Sequence, residues 1–280
     1  MKYRKPAVAG SFYPGNSKAL SGIISKYLDA AAADPRDVDG RVCGIISPHA
    51  GYIYSGPVAA YGYRLLEGKN FDGFAVFAPS HRGRFKGASV MPEGFYSTPL
   101  GDVEIDSELA DAVLENEYFG YLRDIDALEH SLEVQVPFLQ VVSRDFKILP
   151  VIMGTTDGAL CADMGQTVAR AIKSSGKNYC IIISTDLSHY HNYDRAAAMD
   201  SKFIEAVVSF DSEKIQDVVN SGMAEACGEG AVIAGMEACR ALGADRCHFL
   251  KYMNSGDTAG SKDQVVGYMS AAFTAGEGAQ

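Results

Sequence analysis

The chain lacks the features that would place it in several large classes of protein. It has no stretch of eighteen apolar residues, and its charged start, residues 1–5, is followed by too short an apolar run for a secretory leader. The expectation is a soluble cytoplasmic protein with no membrane partner. Its six cysteines, at 43, 161, 180, 227, 239 and 247, contain no Cys-x-x-Cys pair and none of the dense spacing of a disulfide scaffold, so most read as small buried residues. A cationic stripe is missing too. Thirty-five Asp and Glu outnumber twenty-five Lys and Arg for a formal charge of −10, and the basic residues are scattered, which argues against nucleic acid as a partner. There is no P-loop signature and no Gly-x-Ser-x-Gly elbow. Gly228 and Gly230 are followed by Ile233 where a dinucleotide fingerprint needs its third glycine. Nicotinamide dehydrogenases, P-loop NTPases and α/β-hydrolases all lose ground.

What is present is ordinary globular material, 280 residues of which 47% are apolar, 21% charged and 10% aromatic. A chain of this size buries roughly three quarters of its unfolded surface and needs no structural metal, so a metal found here would serve function. No repeat or linker divides it, and one α/β domain over residues 1–280 is expected. Helices are expected at Ser17–Ala33 with Asn16 as N-cap, from Pro57 to Leu66, from Ser107 to Glu115, from Leu128 to Leu139, and from Leu160 to Ser174. Three more are expected from Arg195 to Phe210, Ser212 to Asn220 and Gly230 to Leu242. Strands are expected at Val42–Ser47, Gly73–Ala78, Phe146–Met153 and Tyr179–Ser184, a hairpin within Ala88–Asp106, and extended runs at Cys247–Met253 and Val265–Thr274. Near-continuous apolar strands such as Cys180–Ile183 cannot have a wet face. The fold class is therefore a three-layer α/β/α sandwich around a mostly parallel core, with the hairpin and the C-terminal runs antiparallel.

Three of the six histidines, His49, His81 and His189, each fall just past the end of an apolar strand. In an open α/β sheet that edge is where ligands bind. One loop histidine is ordinarily a solvated or hydrogen-bonded side chain, but three at equivalent positions suggest a metal that favours imidazole, such as zinc, iron, copper or nickel. Asp186 either ligates, or accepts the second N–H of a ligand imidazole, or caps a helical turn. His191 is expected to face away. Cys227 precedes a helix between flanking small residues, where a thiol can have a lowered pKa and approach a metal, or can simply pack. His130 and Glu133 share a helix face by spacing, as an acid/base couple or an exposed polar pair. Phe12, Tyr13, Tyr52 and Tyr54 either line a pocket or cover the edge of the core.

An ordered set of motifs adds to this reading: Arg4–Pro14, Ser47–Gly56, Pro79–His81, Thr98–Gly101, Glu129–Glu133, Ser184–His189 and Cys227–Gly228. Together they resemble the Memo family, whose microbial members are often labelled AmmeMemoRadiSam system protein B. The resemblance implies a fold similar to the class III, LigB-type extradiol dioxygenases. It implies iron or copper, with zinc as a further option, held by His49, His81, His189 and Cys227, with Asp186, Cys227 and His130 as catalytic groups. It implies redox or oxygenase-type chemistry, while the departure of the set from a two-His-one-carboxylate site speaks against ring cleavage. It also implies AMMECR-type and radical SAM proteins as partners, and, as an alternative function, capture of phosphotyrosine or other anionic peptides.

Overall fold

Four apolar runs form the middle of the molecule, as their lack of a polar face requires. The structure is a computed structural model that describes residues 2–276. The strands Arg41–Ser47, Tyr179–Ser184, Gly73–Pro79 and Lys147–Met153 lie side by side in that spatial order, all parallel. Register pairs Ser47 with Ser184 and Phe77 with Ile183, so the first three strands end close to one level. Antiparallel strands complete the sheet. Val265–Ala275 joins Arg41–Ser47 and is itself paired by Arg246–Asn254 and His189–His191. At the other edge Ala88–Ser89 joins Lys147–Met153, followed by Phe119–Gly120, making nine strands among the described residues.

Helices cover both faces. Ser17–Ala33 and Tyr52–Arg64 pack on one, where Gly62 lies against Ile45; Gly158–Ser175 and Glu229–Ala241 pack on the other, where Cys239 lies against Gly44. Neighbouring residues of one strand point to opposite faces, which fixes the order of the layers. The expected α/β/α sandwich is the fold observed. The helix Ser17–Ala33 begins where its cap predicts, with the Asn16 side chain accepting the Ala19 N–H at 3.1 Å. Among the described residues no helix is long and apolar enough to cross a membrane.

Three local expectations are corrected. The helix after the first strand starts at Tyr52 and carries Pro57 inside it. Gly51 opens the turn, the Tyr52 N–H finds an acceptor in the Phe12 carbonyl at 2.8 Å, and the buried Tyr52 and Ser55 hold a first turn that Pro57 would by itself weaken. The helix expected over Leu128–Leu139 is two short ones, His130–Glu133 and Val136–Val142, because Glu129 turns inward as a cap and Pro137 starts the second. The hairpin Phe95–Thr98 with Gly101–Glu104 forms, but it joins Tyr3–Arg4 in a separate three-stranded sheet; only Ala88–Ser89 of that region enters the central one.

Candidate metal centre

The turns beyond three neighbouring strand ends carry His49, Asp186 and His81. His49 is 2% exposed, and its Nδ1 lies 2.8 Å from Ser184 Oγ. The proton positions around that contact follow from the network. Ser184 has one hydroxyl proton, and it donates it to the Ser131 carbonyl at 2.7 Å. It also accepts from Gln135 Nε2 at 2.8 Å, and Gln135 is oriented by the Tyr63 hydroxyl at 2.7 Å. Ser184 Oγ can therefore only accept from His49, so the ring carries its proton on Nδ1 and presents a bare Nε2 to the cleft.

Glu129 does the same for His81. It is wholly buried at the start of the short helix His130–Glu133, and one oxygen accepts the backbone N–H groups of His130 and Ser131, each at 3.0 Å. That oxygen also lies 2.9 Å from His81 Nδ1, while the other accepts the His81 backbone N–H at 2.5 Å. Burial alone would raise the Glu129 carboxyl, but the His81 contact and the backbone N–H donors outweigh it and hold the group at about 2. An ionised carboxylate cannot donate, so His81 also carries its proton on Nδ1 and turns Nε2 outward. The Nδ1 of His130 is 3.3 Å from the same Glu129 oxygen, so one carboxylate stands behind two imidazoles.

The result is a trio, His49, His81 and His130, whose candidate ligand atoms all lie within 4.8 Å of one another. Burial holds His49 well below the ordinary histidine range, and His81, His130 and His189 add to the effect. Burial, then His81, brings His130 down to about 4 against the pull of Glu129. Both rings are neutral at pH 7, the state in which imidazole binds a metal.

The third imidazole of this group is His130. His189 lines the same cleft, but it sits in the short edge strand His189–His191, five residues past the end of Tyr179–Ser184, and lies outside the 4.8 Å group. His191 faces Glu225, with Nε2 3.0 Å from a carboxylate oxygen, away from the trio as expected. The His130–Glu133 pair is not an exposed face either. Glu133 is fully buried and turned to the opposite side, where it binds the Tyr13 hydroxyl at 2.6 Å and forms an ion pair with Arg4.

Cys227 stands beside the trio, its Sγ 3.1 Å from His49 Nε2. The lowered thiol pKa expected from its position before a helix is reversed: burial, and then the charge of Asp186, push it up. Gly228 makes the approach possible, because a Cβ there would meet the Ser184 carbonyl at 2.5 Å. Asp186 steers His49 through the main chain, accepting its backbone N–H at 2.7 Å, while its Oδ2 is 4.0 Å from Nε2. Burial raises the Asp186 carboxyl to about 7, opposed by the His49 N–H, His81 and the Ala50 N–H. It is a group that can take up or release a proton near neutrality.

The cleft in front of these residues has a volume of about 620 Å³ and is edged by Phe12, Tyr54, Tyr190 and Tyr268. Phe12 also packs on His130, with ring centroids 4.8 Å apart. Tyr13 and Tyr52 are core residues instead, the Tyr52 hydroxyl donating to the Val134 carbonyl at 2.6 Å. In the sequence Glu129 stands out only as part of the motif Glu129–Glu133, and Ser184 carries no signal of its own. A carboxylate directly before a short helix that also carries a histidine was the available signal for Glu129.

The residues of this centre fall within a region, residues 4–272, that matches the family described as Memo-like protein. A "MEMO1 family protein" of Methanosarcina mazei is 41% identical over 273 residues, covering 96% of this chain and 98% of that protein. Proteins described by the same family name in Methanothermobacter thermautotrophicus and Nitrosopumilus maritimus are 40% and 38% identical, each over 95% of this chain and 98% and 97% of their own.

Proposed function

The chain belongs to the Memo-like family, and on that premise we propose that its histidine cleft is an iron or copper centre for oxygenase-type redox chemistry. The observation that carries the proposal is the convergence of three imidazoles, two of them held in one tautomer from behind by Ser184 and Glu129. Nitrogen donors with a thiol alongside suit iron, copper or zinc and not magnesium or calcium, which want oxygen ligands. His49, His81 and His130 would hold the ion, with Cys227 as a further ligand. Such an ion, when bound, supplies a Lewis acid and a redox couple for dioxygen or for a phenolic or thiol substrate. The protein's own part is to keep the ligand nitrogens bare, to exclude water behind them, and to offer Asp186 Oδ2 as the atom that holds or moves a proton. The likeness to LigB-type dioxygenases is part of this proposal.

The test is metal content after anaerobic reconstitution with Fe(II), Cu(I) or Zn(II). Wild type is expected to retain one ion, and His49→Ala and His81→Ala to lose it. Comparing His130→Ala with His189→Ala decides which imidazole completes the set; the geometry favours loss in the first and retention in the second. A wild-type protein that retains none of the three metals, or a His49→Ala variant that keeps its ion, sinks the proposal.

The aromatic edge of the cleft, with Tyr190 70% exposed, favours a second reading as a binding site for an aromatic or anionic peptide. Undiminished binding of such a peptide to metal-free protein would support it. Assembly with AMMECR-type and radical SAM proteins is a third proposal, which co-purification tests directly.

A further inference from the structure

A second cavity, of about 540 Å³, opens beyond the ends of the strands Gly73–Pro79 and Lys147–Met153. It shares no lining residue with the histidine cleft, and Cys227, whose thiol touches His49, forms part of its wall. Its charged lining residues are two cations, Arg84 and Lys86, and one carboxylate, Asp157. Arg84 and Lys86 are both exposed on one wall, and among the described residues neither has a carboxylate within ion-pair distance; Lys86 lies over the Tyr118 ring at 4.8 Å. Gly230 and Ala231 bring in the N-terminus of the helix Glu229–Ala241. That end has no side-chain cap, and the N–H groups of Glu229, Gly230 and Ala231 find no acceptor among the described residues. By contrast, the other helix that starts at this wall is closed, since Asp157 accepts the Leu160 N–H at 3.0 Å. Ser80, Thr155 and Thr156 add hydroxyls that donate to no acceptor among the described residues.

Two cations, an open helix end and free hydroxyls around one cavity, against the single Asp157 carboxylate, suit a dianionic oxyanion. The volume exceeds what an inorganic anion fills, and Phe85, Met153 and Leu160 supply an apolar side for an organic part. We infer that this cavity binds a small phosphate monoester, its phosphate against Arg84, Lys86 and the N-terminus of the helix Glu229–Ala241. The inference does not rest on a metal in the neighbouring cleft.

Calorimetric titration of the metal-free full chain with glycerol 3-phosphate tests it, with malonate as the dicarboxylate comparison. Saturable one-to-one binding is expected for the phosphate ester, with malonate about tenfold weaker or worse. The Arg84→Ala/Lys86→Ala double variant is expected to bind the ester about tenfold or more weakly, with unchanged thermal unfolding because both side chains are exposed. His130→Ala should bind within about twofold of wild type. The inference fails if nothing saturates, if the double variant binds as tightly as wild type, or if malonate equals the ester. It fails equally if His130→Ala is the variant that loses binding, since the phosphate then sits among the histidines.

Discussion

Replacing Arg4 by alanine is expected to destabilise the protein by about 3–5 kcal/mol, although Arg4 is remote in sequence from every candidate ligand. Its guanidinium is almost fully enclosed, and all five of its N–H groups have work. Nε and one Nη2 proton reach the Asp126 carbonyl at 3.2 and 3.1 Å, the other Nη2 proton reaches the Glu129 carbonyl at 2.5 Å, and Nη1 serves the Lys5 carbonyl at 3.2 Å and the Glu133 carboxylate. Alanine would leave Glu133 as a buried anion held only by the N–H groups of Ala7 and Val8 and the Tyr13 hydroxyl. Pairing Arg4→Met with Glu133→Gln removes both charges together, and should recover much of the loss in urea denaturation. If Arg4→Ala unfolds at the same urea concentration as wild type, the ion pair is not what ties the N-terminal segment to the helix bearing His130.

Glu129→Gln should weaken metal binding by about 10–100-fold while leaving most of the fold's stability in place. The carboxylate accepts four N–H groups, and an amide would point a donor at one of them. His81 then loses the partner that keeps its proton on Nδ1, and the cap of the helix His130–Glu133 is weakened in the same step. Competition titration with a chelator of known affinity measures the change. An affinity within about twofold of wild type would mean that strand-end geometry alone positions the two imidazoles.

Much of the layer order was readable in the chain because it depends on local patterns. Ile45–Ile46 and Ile181–Ile183 have no polar face, and Asn16 marks a helix start by its own side chain. His49 and His81 were readable for a related reason, since each follows its strand by two residues and the sheet delivers them to one edge. His130 is legible in the sequence as a catalytic group but not as a neighbour of His49 and His81, because its surroundings are long-range. The spacing to Glu133 suggests an exposed pair, and only the contact of Glu133 with Arg4, 129 positions away, shows that the helix is buried and that its other side faces the cleft. The break at Glu129 has the same origin, as helical periodicity cannot report a cap whose partner, His81, lies 48 residues earlier.

The single hydroxyl proton of Ser184 has a consequence for stoichiometry. With His49 already neutral and its proton confined to Nδ1, coordination through Nε2 liberates no hydrogen ion from that ring, and the depressed His130 is in the same position at pH 8. Asp186, at about 7, has mostly ionised by then. The Cys227 thiol, pushed upward, has not. Metal uptake in weak buffer at pH 8 should therefore liberate about one hydrogen ion per metal if the thiol becomes a ligand, falling toward zero in Cys227→Ser. A count near zero in wild type would leave the sulfur as a neighbour of the metal and nothing more.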